Sequence, residues 1–166
     1  SLTWNFNSIS CIGAGRIGRI HAGNVAASGR ARLVAVSDAL ESAAASLADE
    51  LGTKATTRGA ILADPTVGAV LICSPTDTHA DFIEEAVQAG KAVFCEKPVD
   101  LSSERIRACL ATVEKTGKAL MIGFNRRFDP NFAEAKARIV AGEIGKVELV
   151  TILSRDPGPP PIEYVK

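Results

Sequence analysis

Lys97 stands in the triplet Glu96-Lys97-Pro98, directly after an apolar run, and is the side chain best placed to do chemistry. An ammonium at a strand end can hydrogen-bond a substrate hydroxyl and stabilise the alkoxide that forms as hydride leaves the carbon. Taken alone, a lysine there is equally an ordinary solvated side chain. A second motif gives it context. Ile9-Ser10-Cys11-Ile12 runs straight into Gly13-Ala14-Gly15-Arg16-Ile17-Gly18, which is Gly-x-Gly-x-x-Gly between a strand-like run and a helix-like one. In a dinucleotide site the first glycine allows the tight turn, the second lets a pyrophosphate approach the backbone, and the third lets the helix pack close to the sheet. The unpaired amides and dipole of that helix's first turn hold a diphosphate without a lysine. Asp38 ends a second apolar run, Leu33-Val34-Ala35-Val36. It lies about 20 residues past the last glycine, where a carboxylate can accept hydrogen bonds from an adenosine ribose.

These residues need a scaffold, and the chain's periodicity supplies one. The expected order is a strand at 9–12, a helix over 16–28, a strand at 32–37, a helix over 40–51 and a short helix at 58–63. A strand at 68–73, apolar throughout, reads as buried on both faces. A turn at 74–77 leads to a helix capped by Thr78 and running to 89, then a strand at 92–95. Ser102 or Ser103 caps a helix ending before Gly117, and a strand follows at 119–122. Alternating strands and helices imply an α/β fold: a Rossmann-type, doubly wound parallel sheet. Ligands of such sheets bind beyond the carboxyl ends of the strands. Gly13–Gly18, Asp38, Ser74–Thr78, Glu96–Pro98 and Gly123–Arg127 all follow strand ends, so they are expected to form one site. Ser74, Pro75, Thr76, His79 and Glu96 join the expected cofactor contacts, with His79 shaping the loop and His21 packed or beside the cofactor. Asn125 and Arg126 fall on the substrate side. Arg126 and Arg127 offer a fixed fork of donors for a polyol or carboxylate, or pair with acids such as Asp129 or Glu134.

After residue 123 the character changes. Phe124-Asn125-Arg126-Arg127-Phe128 is basic and aromatic, Pro130 opens a helix over 131–141, and Val147–Leu153 reads as a strand. A proline-rich stretch follows from Ser154 to Pro161. The expected division is therefore a cofactor domain over 1–123 and the opening of an incomplete second α/β domain over 124–166. Residues 129–166 are expected to be steadied by a neighbouring chain or by crystal contacts, since the strand would be left with an exposed edge.

The 166 residues are 46% apolar and 23% charged, with 19 basic against 19 acidic side chains, an ordinary globular balance. Nothing in it points to nucleic acid or to a membrane surface. No apolar run reaches the length of a membrane span, and Ser1–Asn7 lacks the marks of a signal peptide. The four cysteines form no C-x-x-C pair, so no metal is expected, and reduced thiols, three of them in or at the end of expected strands, suit a cytoplasmic protein.

The motifs together resemble the Gfo/Idh/MocA oxidoreductase family, and within it the inositol 2-dehydrogenases. The matching stretches are Gly13–His21, Ser74-Pro75-Thr76-Asp77-Thr78-His79, Glu96-Lys97-Pro98-Val99-Asp100 and Gly123–Asp129. The resemblance implies NAD as cofactor, a homo-oligomer, and oxidation of a small polyol such as myo-inositol to the keto-inositol by hydride transfer. Within it, Lys97 matches the catalytic lysine and Arg126 a substrate-side arginine. Asp38 matches the ribose acid, whose charge would repel the 2′-phosphate of NADP. The resemblance also implies an aspartate and a histidine one helical turn apart in a C-terminal domain, beyond Lys166. These 166 residues alone are then expected to be inactive. A non-catalytic NAD-binding module and a dehydrogenase for another sugar are the alternatives.

Overall fold

The structure is a computed structural model that describes residues 8–155 and 158–159. Ser1–Asn7 and most of the proline-rich tail lie outside the described residues. The chain divides into two compact units, one ending at Phe124 and one beginning at Asn125.

The first unit is a six-stranded, wholly parallel sheet. Its strands are β1 (Ser8–Ile12), β2 (Arg32–Ser37), β3 (Lys54–Ala55), β4 (Ala69–Ile72), β5 (Ala92–Cys95) and β6 (Leu120–Ile122). Their spatial order is β3-β2-β1-β4-β5-β6. The chain moves outward from β1 to β3, then returns to the far side of β1 for β4. The order therefore reverses between β1 and β4, which is the switch point where this class of sheet leaves a crevice.

Side-chain alternation builds two cores. Ile12, Val70, Ile72, Val93 and Cys95 face one side and pack with Ile61, Ile83, Val87, Cys109 and Val113. Those partners come from α3 (Arg58–Ala63), α4 (His79–Gln88) and α5 (Ser103–Thr116). Cys11, Leu33, Val36, Leu71 and Cys73 face the other side and meet Ala22, Ala44 and Leu47 from α1 (Arg16–Ala27) and α2 (Glu41–Leu51). Both faces of β4 are covered, as its unbroken apolar run requires.

Helix ends follow local chemistry. Gly52 and Gly117 end α2 and α5 in the left-handed conformation, which costs a residue without Cβ little. Ser102 caps α5 by accepting from the Arg105 amide. Thr78 departs from expectation only in its bonding. It is the N-cap residue of α4, as expected, but a 3-10 turn occupies Thr76–Thr78 and its side chain makes no cap bond. Its hydroxyl donates instead to the Pro75 carbonyl and lies 2.6 Å from Ser74 Oγ, so local bonding within the loop outcompetes capping. β3 was not expected, because two exposed residues at a sheet edge carry no periodicity.

The second unit holds a 3-10 turn at Asn125–Phe128 and α6 (Pro130–Val140). Asp129 caps α6, accepting from the Asn131 and Phe132 amides. The strand expected at Val147–Leu153 is not formed: these residues have no regular structure. A strand exists only with a ladder partner, and among the described residues this run has none.

Candidate functional site

The sheet ladder sets the level of the site. The Gly13 amide donates to the Ser37 carbonyl at 2.8 Å, Cys73 to Ile12 at 2.8 Å, Glu96 to Ile72 at 2.9 Å and Gly123 to Cys95 at 2.8 Å. Pairing thus continues one residue past each strand. It delivers the glycine turn, the loop starting at Ser74, Glu96-Lys97-Pro98 and Gly123 to one edge, beside the switch point.

The three motif glycines do different work. Gly13 has φ +105° and a Cβ there would lie 2.5 Å from the Cys73 carbonyl carbon. A Cβ on Gly18 would collide with the Gly13 carbonyl oxygen. Both are demanded by packing. Gly15 is exposed, and nothing lies within 4 Å of where its Cβ would be. The fold does not need that glycine, so the open approach to its backbone is available to a ligand. Gly15 is also the N-cap of α1; it carries no capping side chain, and the first turn holds no acid. The amides there are left for an anion. Arg16 is exposed at this turn and Ile17 is half-buried against the sheet.

Asp38 is tied to the turn. Its Oδ2 accepts from the Ala14 amide at 2.6 Å and its Oδ1 from the Leu40 amide at 2.9 Å. Each oxygen keeps a lone pair for a further donor, and the carboxylate is fixed beside the glycines. An open glycine cradle, bare helix amides and an anchored acid fit an NAD molecule.

The loop after β4 is braced from beneath. His79 is 2% exposed. Its Nε2 lies 2.8 Å from the Ser74 carbonyl oxygen and its Nδ1 lies 2.7 Å from the Pro98 carbonyl oxygen. Ser74 and Thr76 are half-buried and Pro75 is exposed. Lys97 is exposed, and the Lys97–Pro98 peptide bond is cis. Glu96 accepts from His21 Nε2 at 2.7 Å and, through its other oxygen, from the Lys97 amide at 3.2 Å. The His21 ring meets Phe94 edge-on, centroids 5.0 Å apart. A Cβ on Gly123 would press on the Glu96 carboxyl and the Phe94 ring at 3.1 Å. The expectation for His21 missed this partnership, because nothing in the local sequence pairs it with a residue 75 positions away.

Asn125 and Arg126 belong to the second unit. There they line a shallow hollow with Phe128 and Asp129, and the Arg126 guanidinium stacks 5.3 Å from the Phe132 ring centre. Asp129 is engaged as a cap, and Glu134 pairs with Arg138.

The cysteines are packing groups. All four are buried and free. Burial pushes the Cys95 thiol up to about 12 and that of Cys109 up to about 11. A hydrogen bond with Cys11, then burial, raises Cys73 further still. Among the described residues no cluster of three His, Cys, Asp or Glu could hold a metal ion, and no helix is long and apolar enough to cross a membrane.

Comparison with known proteins agrees with this geometry. The inositol 2-dehydrogenase of Rhizobium meliloti is 55% identical over 155 residues, which are 93% of this chain and 47% of that protein. The crystal structure of a myo-inositol dehydrogenase from Corynebacterium glutamicum superposes with a TM-score of 0.88 at 42% identity, covering 95% of this chain and 48% of that one. The scyllo-inositol dehydrogenase of Lactobacillus casei, solved with NAD(H) and scyllo-inositol bound, matches with a TM-score of 0.79 at 32% identity over 85% of this chain and 43% of that one. The chain spans about half the length of the curated relatives it matches. The family model for oxidoreductases with an NAD-binding Rossmann fold matches residues 8–124. The chain belongs to the Gfo/Idh/MocA oxidoreductase family and carries its NAD-binding Rossmann fold.

Proposed function

We propose that this chain is the cofactor-binding part of an NAD-dependent inositol 2-dehydrogenase, with residues 1–123 as the NAD domain and 124–166 as the opening of a substrate and oligomerisation domain. The observation that carries the reading is the placement of Lys97. It is exposed and follows β5 at the sheet edge that also bears the glycine cradle and Asp38, in a chain 55% identical to an inositol 2-dehydrogenase.

When bound, NAD supplies a hydride acceptor at its nicotinamide ring. The chain's own residues do the rest. The amides at the start of α1 bind the diphosphate, with Gly15 leaving room and Arg16 at the rim. Asp38 takes the adenosine ribose and disfavours a 2′-phosphate. Ser74, Pro75, Thr76 and His79 build the next loop along the cofactor, with Ile17 and Glu96 beside it. Lys97 hydrogen-bonds the substrate hydroxyl and stabilises the negative charge that develops on that oxygen as its proton passes to the C-terminal histidine that the family resemblance implies. Asn125 and Arg126 orient the remaining hydroxyls of the ring. Four unpaired thiols suit a reducing cytoplasm, and a second copy of the protein is the natural cover for the exposed apolar run at 147–153.

The test is calorimetric titration with NAD and NADP, followed by initial rates with myo-inositol, scyllo-inositol and glucose, on the natural polypeptide that carries these residues. The expected result is tighter binding of NAD and NADH formation with an inositol. Tight NAD binding without turnover of any polyol would favour a non-catalytic module. Turnover of glucose but neither inositol would move the substrate class.

A further inference from the structure

We propose that His21 and His79 are positioning residues for Lys97, clamping the Glu96-Lys97-Pro98 segment from its two sides and tying it to the two loops assigned to the cofactor. The inference rests on the reading that Lys97 meets the substrate.

Lys97 itself is exposed on a long stem, so the fold can aim it only by fixing its backbone. On the upstream side, Glu96 Oε2 accepts from the Lys97 amide while Oε1 is held by His21 at 2.7 Å. His21 is held in turn by its place on α1 and by the edge of the Phe94 ring. Gly123 leaves the space that this carboxylate occupies. On the downstream side, His79 reaches the Pro98 carbonyl oxygen at 2.7 Å. Its other nitrogen meets the Ser74 carbonyl oxygen at 2.8 Å. Both neighbours accept only, so His79 is a donor on this bridge: to one carbonyl as the neutral ring, to both as the imidazolium.

The two histidines share one logic of placement. His21 stands on the helix that begins at the glycine turn, and His79 begins the helix that follows the Ser74–Thr78 loop. Each therefore connects a cofactor loop to one flank of Lys97. A core histidine or a surface ion pair explains each contact singly. Neither explains why both end on the residues immediately before and after the same lysine.

Such a clamp acts on geometry. Misplacing a reacting group by a fraction of an ångström lowers the rate far more than it weakens ground-state binding. The experiment compares the natural polypeptide that carries these residues with its Lys97→Met, His21→Leu, His21→Gln and His79→Leu variants. It measures inositol oxidation, and melting temperature confirms folding. His21→Leu is expected to lower kcat by about 10- to 100-fold with the KM for NAD within about threefold. His21→Gln keeps a donor for Glu96 and is expected to recover most of that loss. His79→Leu should lower kcat as well, with a rise in the KM for NAD, because the same ring also holds the Ser74 carbonyl of the cofactor loop. Wild-type kcat in a folded His21→Leu and His79→Leu would overturn the clamp. So would a loss that follows melting temperature and that glutamine fails to rescue. Wild-type turnover by Lys97→Met would instead overturn the reading of Lys97. A second measurement needs no turnover. The Lys97 amide resonance should shift and exchange faster with solvent in His21→Leu but not in His21→Gln. An unmoved resonance would sink the inference whatever the protein's substrate proves to be.

Discussion

Two stretches of this chain are close relatives in composition and opposites in structure. Gly68-Ala69-Val70-Leu71-Ile72-Cys73 and Val147-Glu148-Leu149-Val150-Thr151-Ile152-Leu153 are both short, apolar and rich in β-branched residues. The first contains β4, hydrogen-bonded to β1 on one side and β5 on the other, with Val70 and Ile72 fully buried. The second has no regular structure, and its Leu149 is 85% exposed. Preference for the extended state is a matter of fitting a pleated, covered surface, so the same residues express it only where neighbours supply one. The first unit has those neighbours; the second, among its described residues, buries no side chain.

The sharpest way to break this contrast is to place a charge in each run. Val70→Asp puts a carboxylate where exposure is 0%, without a partner. It is expected to cost about 4 kcal/mol or more and to unfold the first unit. Val150→Asp, at a site 65% exposed, is expected to leave the melting temperature of the first unit unchanged. Circular dichroism melts of the two variants decide it. A large loss in Val150→Asp would mean that the run is covered in solution, as an assembly of copies would cover it.

What was legible in the sequence follows the same division. The order of elements in the first unit came from unbroken apolar runs and helical stripes, signals that a doubly wound sheet makes strong because both faces are buried. The edge at which Lys97, Asp38 and the glycine turn gather followed from strand ends alone. Three features were not legible. β3 is too short to have a period. The pairing of His21 with Glu96 joins residues 75 apart in sequence, which only the closed sheet brings together. Lys91, just before β5, reads as a solvated side chain, yet it is 5% exposed and donates to the Asp64 and Val67 carbonyls. Its charge is accommodated by carbonyl dipoles, which no local pattern announces, and its burial lowers its pKa.

Glycines sharpen the comparison at the next level of effect. Gly18→Ala forces a Cβ onto the Gly13 carbonyl oxygen, a backbone atom that cannot swing away. A cost of about 3 kcal/mol is expected. In the second unit Gly142 ends α6 at φ +79° with open space around it. Gly142→Ala carries only the local conformational cost, about 1 kcal/mol, and should not move the first unit's melt. Gly15→Ala separates stability from binding within a single turn. Its Cβ meets nothing in the fold, so the melt should be unchanged, while NAD affinity measured by titration falls by roughly tenfold from crowding at the diphosphate. Equal affinity for Gly15→Ala and wild type would remove the diphosphate from this turn.

The smallest effect lies in the ion pairs, and it carries a pH signature. In the first unit Arg105 on α5 reaches Asp81 and Glu84 on α4, both at 2.6 Å, so it joins two helices. In the second unit Arg138 pairs with Glu134 one turn away on the same helix. A bond between elements resists unfolding of the unit, whereas a bond within one exposed helix resists only fraying. The hydrogen bond from Arg105 holds the Glu84 carboxyl below its ordinary value of 4.5, against the opposing effect of burial. A carboxyl depressed in the folded state adds stability that is complete above its unfolded value and is lost as pH falls through its folded one. Arg105→Leu is therefore expected to cost about 1 kcal/mol at neutral pH, and in urea melts the cost should hold constant from about pH 6 until the pH falls below the unfolded value of 4.5, then shrink as the pH is lowered further. Arg138→Leu should give a melt that matches wild type at each pH. A pH-independent loss in Arg105→Leu would mean that its stem packs between the helices and that its charge adds nothing.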